Sequence, residues 1–268
     1  MKGAIIGDII GSAFNNQRQP SPDFQLFKER SEFTDDTILT IATADSLLNN
    51  INYKDSLIKW VKAYPDAGYQ EEFLTWIKNG GTEDYISKGN GAARRISPIG
   101  FSAKSINQAL TEAKKTTIIT HNISQRIEAS QAAAVAIFMA NNGATKKEIK
   151  NYISVHFGYE LNLKVSDWQD LLEGKDKPDT PVPPAMAAFF ESSDFEEAIR
   201  LAITIGGPSD TIASITGALA QAYFKHIPKA FIKRALARLT PDMEMIIDKF
   251  EETYIIKKEN GAYHYFTK

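Results

Sequence analysis

Glycine recurs every fourth residue through the first apolar stretch of this 268-residue chain, at Gly3, Gly7 and Gly11 of MKGAIIGDIIGSAF. Ile5, Ile6, Ile9, Ile10 and Ala13 fall between them at helical spacing, which predicts one helix over 1–14. Each glycine costs such a helix roughly 1 kcal/mol relative to alanine. A helix that carries three is expected to lie against another backbone, closer than a Cβ would permit.

The same period continues through most of the chain. Thr34 is a good N-cap for a helix over 35–49, with Asp35 and Asp36 at its positive end. Amphipathic patterns predict helices over 51–64 and 70–78, with Lys59 and Lys62 on the wet face, then over 103–114, 122–141 and 145–155. Ser193 and Glu196 read as a capping box for the helix of EEAIRLAITIG. The Ala/Ile/Gly-rich segment 213–224 reads as a central core helix, followed by helices at 231–239 and 242–254. Residues 79–100 and 157–184, rich in Gly and Pro respectively, read as loops, and alternation around Asn260-Gly261 suggests a small terminal hairpin. The expectation is an all-α fold, one domain over 1–268 with ten or more helices.

Composition excludes several function classes. There are no cysteines, so disulfides, thiolate metal sites and cysteine nucleophiles are out. His121, His156, His226 and His264 show no zinc-ligand spacing, and no G-x-S-x-G nucleophile elbow occurs. A formal net charge of -2 gives no general attraction to nucleic acid or anionic membrane. No apolar run approaches the roughly 20 residues that span a bilayer, and the N-terminal segment is interrupted by Asp8. A cytoplasmic location is expected.

What remains is oxygen chemistry at two acidic clusters, Thr34-Asp35-Asp36-Thr37 and Ser209-Asp210-Thr211, each at a helix start. Helix capping explains either one alone. Equally, Asp35, Asp36 and Asp210 offer hard oxygen ligands to a divalent ion drawn from two ends of the chain. The loop Gly89-Asn90-Gly91-Ala92-Ala93-Arg94-Arg95 is either a tight turn with a solvated basic pair or a set of N–H groups and guanidinium groups for phosphate. Gly206-Gly207-Pro208 before Ser209 is either a helix stop or a close backbone approach to an anion.

Six segments in this order resemble the ADP-ribosylglycohydrolase family: GAIIGDIIGS at 3–12, FTDDTILTIATADSLL at 33–48, GNGAARRISPIG at 89–100, THN at 120–122, VPPAMAAFFESSDFEEAI at 182–199 and GGPSDTIASITGALAQAYF at 206–224. The resemblance implies a compact all-α fold with a central cleft, two Mg²⁺ or Mn²⁺ ions, and hydrolysis of the bond joining ADP-ribose to a modified protein side chain, arginine first, or to a small molecule. Carried over by position, Thr34, Asp35, Asp36, Asp210 and Thr211 would hold metal, with Asp35 or Asp36 positioning a water. Gly89, Asn90, Gly91, Ser97, Gly100, His121, Gly206, Gly207 and Ser209 would bind substrate, and Asp8 would support the cluster.

Two positions depart from the family pattern. Pro208 stands where the last motif usually has an acid, and Asn15 stands where the first motif usually has a Glu. Asn offers a carbonyl oxygen but cannot act as a general base. These departures imply a single ion instead of two. They also raise an alternative, a catalytically degenerate relative that binds ADP-ribose or a partner ADP-ribosyltransferase without turnover.

Overall fold

The computed structural model describes residues 1–17, 21–83, 85–173, 179–259 and 262–265. Helices α1 (Lys2–Ser12), α2 (Asp35–Asn49), α3 (Tyr53–Ala63), α4 (Glu71–Lys78), α5 (Gly91–Arg94), α6 (Ser97–Ser102), α7 (Ile106–Thr117) and α8 (Ser124–Asn141) form the first half. Then come α9 (Lys146–Phe157), α10 (Val165–Glu173), α11 (Val182–Glu191), α12 (Phe195–Ile205), α13 (Ser209–Phe224), α14 (Lys229–Leu236) and α15 (Pro241–Tyr254). An antiparallel pair, β1 (Ile256–Glu259) and β2 (Ala262–Tyr265), sets Ile256 opposite Tyr265. The strands agree with the expected hairpin; its turn, Asn260-Gly261, lies outside the described residues.

The glycine repeat of α1 meets α13. A Cβ on Gly3 would stand 2.2 Å from the Gly217 carbonyl oxygen, on Gly7 2.0 Å from that of Ala213, and on Gly11 2.4 Å from that of Ser209. Gly217 returns the contact, since its Cβ would lie 2.1 Å from the Gly3 oxygen. Two backbones therefore touch along three helical turns, and α13 is buried along most of its length. Around this pair the main core gathers side chains from both ends of the chain, among them Ile9, Ile41, Val135, Phe189, Ile212 and Phe250.

Local signals set most helix ends. The Thr34 hydroxyl accepts from the Asp36 N–H, and Thr145 with Glu148 forms a complete capping box for α9. The α12 cap is shifted one residue from expectation: Asp194, with extended backbone, accepts from Glu197 N–H, and Glu197 accepts from the Ser193 N–H and hydroxyl. Asp194 competes successfully because it caps as well as serine does.

Two segments expected as loops contain helices. Within 79–100, α5 and α6 form under buried Ala92, Ala93, Ile96 and Ile99. Within 157–184, buried Val165 and Trp168 anchor α10, and Pro183 and Pro184 start α11 instead of breaking it. Proline's fixed φ and missing N–H suit the first turn, where that donor has no partner. The GKDKPD segment at 174–179, which reads as a charged turn, lies outside the described residues except for Asp179. No helix among the described residues is long and apolar enough to cross a membrane.

Candidate functional site

Because α1 lies against α13, Asp8 and Asp210 are brought to the N-terminal end of α2. Asp8 is fully buried and accepts four hydrogen bonds: from Thr34 N–H (2.9 Å), Thr34 Oγ1 (2.6 Å), Thr37 N–H (3.1 Å) and Thr37 Oγ1 (2.5 Å). It thus ties α1 to the first turn of α2. Burial and the nearby Asp210 charge push its carboxyl up to about 7, with the hydrogen bonds from Thr34 and Thr37 opposing.

Asp35 and Asp36 face Arg94, which α5 delivers across the cleft. Arg94 donates Nη2 to Asp35 Oδ2 at 2.6 Å and Nη1 to Asp35 Oδ1 at 3.2 Å, and its Nη1 is also ion-paired with Asp36 Oδ1. The second Asp36 oxygen accepts from the Thr211 hydroxyl at 3.1 Å. Burial raises both carboxyls above their ordinary range; Arg94 opposes this, while Asp210 adds to it. Burial works against the Arg94 charge, but Asp36, Asp35, Asp210 and Asp8 outweigh it and hold the guanidinium protonated.

Asn15 reaches the same cluster. Its amide donates to Asp210 Oδ2 at 2.6 Å, and its carbonyl accepts from the Asp210 N–H at 3.1 Å. The other Asp210 oxygen accepts from Thr211 N–H at 2.7 Å. Pro208 stands exposed on the rim. The donor set does not fit a dinuclear divalent centre: the oxygens of Asp8, Asp35 and Asp210 and Asp36 Oδ2 each accept from a protein donor, Asp36 Oδ1 has its ion pair with Arg94 but no hydrogen bond, and Thr34 Oγ1 donates to Asp8. Among the described residues no group of three or more His, Cys, Asp or Glu side chains is arranged to hold a metal ion.

Two cavities meet at Asp35. One, of about 290 Å³, is lined by Gly89, Asn90, Gly91, Arg94, Arg95, His121, Pro208 and Thr211 with Phe73 and Tyr85. The other, of about 550 Å³, is lined by Asn15, Glu32, Phe33, Thr34, Tyr64, Asp66 and Asp210. Their charges differ: arginines and a histidine line the first, whereas the second has carboxylates and no basic side chain.

His121 is held at the first cavity by a chain of buried hydrogen bonds. Arg95, itself buried, donates Nη2 to Thr120 Oγ1 at 2.9 Å and to the Thr116 carbonyl at 2.7 Å. The Thr120 hydroxyl, which accepts from Arg95, is also hydrogen-bonded to His121 Nδ1, 2.7 Å away, with either atom able to be the donor. His121 Nε2 is buried without a hydrogen-bond partner, as are Asp36 Oδ1, Asn90 Oδ1 and Arg94 Nε. A Cβ on Gly91 would lie 3.3 Å from His121 Cε1 and 3.4 Å from Arg94 Nη2, so glycine there leaves both groups their place.

Burial, Arg95, Arg94 and Arg126 push His121 down to about 3. Its ordinary value, near 6.5, applies unfolded, so the unfolded chain binds the extra proton first and stability falls as pH drops below about 6.5. From pH 7 to pH 5 this costs about 2 kcal/mol, the free energy of protonating the unfolded imidazole. His121→Asn, which cannot titrate, is expected to remove that part of the pH dependence of the urea midpoint. An unchanged pH slope would contradict it.

The expected substrate residues divide. Gly89, Asn90, Gly91 and His121 line the smaller cavity. Ser97 and Gly100 are buried in α6, and a Cβ on Gly100 would meet Ile137 at 2.6 Å and the Ala134 oxygen at 2.9 Å, so Gly100 serves the α6–α8 contact. Gly206 and Gly207, both at positive φ, turn the chain from α12 into α13, and the Ser209 hydroxyl donates to the Phe14 carbonyl. None of these five lines either cavity at Asp35. Glu32, Phe33, Tyr64 and Asp66 were not anticipated as site residues; Glu32 and Phe33 directly precede Thr34, whereas Tyr64 and Asp66 reach the cleft through the Pro65-Asp66-Ala67-Gly68 turn between the two helices expected at 51–64 and 70–78.

Two remote helix starts thus pool their carboxylates beside a Gly-Asn-Gly turn. The profile of the ADP-ribosylglycohydrolase family matches residues 1–259, and the chain belongs to that family. It is 22% identical to the ADP-ribosylarginine hydrolase Tri1 of Pseudomonas putida (strain GB-1), over 83% of this chain and 70% of that protein. With the ADP-ribosylhydrolase ARH3 of Mus musculus it shares 21% identity, over 86% of this chain and 85% of the relative. A solved structure titled "ADP-ribosylglycohydrolase-related protein complex" has the same fold, with a TM-score of 0.63 at 24% identity, covering 92% of this chain and 95% of its own.

Proposed function

We propose that this protein hydrolyses the glycosidic bond between ADP-ribose and a modified group, with an arginine side chain as the preferred acceptor. The observation that carries this reading is the change of charge across Asp35. The cavity holding Arg94, Arg95 and the unpartnered His121 Nε2 suits a diphosphate, and Phe73 and Tyr85 give it an aromatic edge for an adenine. The cavity beyond, with Glu32, Asp66, Asp210 and the rings of Phe33 and Tyr64, suits a guanidinium group. The terminal ribose then lies over Asp35, the residue common to both.

Departure of the acceptor leaves positive charge on the ribose ring, as in other glycoside hydrolyses. Asp35, at the surface of the cleft, is placed to stabilise that charge and to orient a water toward the anomeric carbon. Asp36 is fully buried under Arg94 and positions it. Divalent ions, where bound, polarise oxygens and water.

The test is release of ADP-ribose from arginine-, serine- and nucleotide-linked substrates. The double variant Glu32→Gln/Asp66→Asn is expected to lower kcat/KM for the arginine conjugate about fivefold relative to the serine conjugate, two exposed charge contacts of about 0.5 kcal/mol each. ADP-ribose binding with no release from any conjugate would sink the hydrolase assignment in favour of a non-turnover reader.

A further inference from the structure

We infer that Arg94 is the resident cation of the acidic cluster: its guanidinium occupies the position a divalent ion would take between Asp35 and Asp36, and the cleft binds ADP-ribose without Mg²⁺ or Mn²⁺. The second half of this statement rests on the ADP-ribose reading above; the first rests on geometry alone.

The geometry is that of a cluster lined by donors. A metal site presents lone pairs inward, from carboxylates, carbonyls and waters. Here the groups that turn toward the carboxylates carry hydrogens. Arg94 spans Asp35 with both Nη atoms and contacts Asp36 with Nη1. Thr211 gives its hydroxyl proton to Asp36, and Asn15 gives an amide proton to Asp210. A cation placed beside Asp210 would face the Asn15 amide hydrogens unless that amide turned over, which would end its reciprocal pairing with the Asp210 backbone.

Arg94 is also held in place from behind. Gly91 gives its Nη2 room, since a Cβ there would lie 3.4 Å away, and α5 packs against α8 through buried Ala92 and Ala93. Removing the guanidinium would leave Asp36, with no exposed surface, beside Asp35 without a counter-charge. An ion entering the cluster must therefore displace a charge-assisted bidentate pair, whereas an ion entering a cluster with a neutral residue at 94 would supply the missing charge. Planar guanidinium matches carboxylates in a fixed direction, so the substitution also fixes the orientation of Asp35 toward the ribose.

The experiment is a Mn²⁺ titration of the 268-residue chain followed by electron paramagnetic resonance of the free ion. The wild type is expected to leave the free Mn²⁺ signal undiminished up to about 1 mM; uptake of one or more equivalents at lower concentration would overturn the proposal. Arg94→Gln is expected to take up one equivalent, and at about 100 times its dissociation constant Mn²⁺ should raise the variant's Tm by about 5 °C. Arg94→Lys, which keeps a cation, is expected to take up none. A folded Arg94→Gln that ignores Mn²⁺ overturns the assignment of the cation position. Should Arg94→Gln fail to fold, the wild-type and Arg94→Lys titrations still decide. Calorimetric titration of ADP-ribose in EDTA and in Mg²⁺ separates the two readings: wild-type affinities within twofold support the inference, and a requirement for Mg²⁺ refutes its second half. No binding in either condition defeats the ADP-ribose reading and removes that second half with it, while leaving the Mn²⁺ result to stand on its own.

Discussion

Gly7→Ala is expected to lower the melting temperature by about 6–12 °C, from a loss of about 3 kcal/mol at roughly 2–4 °C per kcal/mol for a chain of this size. The added methyl would lie 2.0 Å from the Ala213 carbonyl oxygen, 2.4 Å from its carbon and 2.8 Å from the Ser214 nitrogen. All three are backbone atoms of α13, so no rotamer change relieves the overlap. Alanine's better helix propensity returns only about 1 kcal/mol, and overpacking against rigid neighbours exceeds it. The helices must part, and because Asp8 follows Gly7 while Asp210 precedes Thr211 on the facing helix, the acidic cluster opens with them. Thermal unfolding followed by circular dichroism measures the effect; a Tm within 2 °C of the parent would show that α1 and α13 are not in backbone contact.

Asp8→Ala should cost about 4 kcal/mol, and Asp8→Asn about 1 kcal/mol or less, an order drawn from the cost of orphaned buried donors. Alanine leaves the Thr34 and Thr37 N–H groups without an acceptor, and neither can turn away from the helix start that holds it. The two hydroxyls can find other partners more easily. Asparagine keeps an acceptor toward the N–H groups and can donate to the Thr34 hydroxyl. It also removes a charge that burial and Asp210 already disfavour, as the shift of Asp8 up to about 7 expresses. Urea unfolding of the two variants at neutral pH makes the comparison. Equal losses would mean that the negative charge of Asp8, and not its hydrogen-bonding shape, holds α2 to α1.

The helical architecture was legible where local chemistry and burial agree. The α2 helix runs over the residues expected, Asp35–Asn49, because Thr34 caps it and the apolar period starts at once. The glycine repeat announced a backbone contact correctly, but named no partner, since any small-residue helix would answer it. The prolines at 183 and 184 misled for a physical reason: the same ring that stops a helix suits its first turn, and only the path of the preceding chain tells which applies. Within the cleft, the carboxylates were legible as a set. Arg94 was not, because Arg94 and Arg95 are neighbours in sequence with opposite destinations, one in the acidic cluster and one at the Thr116 carbonyl and the Thr120 hydroxyl. Which of the two turns inward toward Asp35 is decided by how α5 crosses α2, a tertiary fact with no local signature.

The pairing of α1 with α13 has a consequence for biosynthesis. Gly3 and Gln221 are hydrogen-bonded partners 218 residues apart, so α1 leaves the ribosome long before its partner helix is made. At roughly 5–20 residues per second the interval is on the order of ten to forty seconds. Throughout it, an apolar helix with a glycine-lined groove has no native surface to cover it. Chaperone occupancy during translation should therefore fall only when the 209–224 segment emerges, and a nascent chain stalled before that point should remain bound.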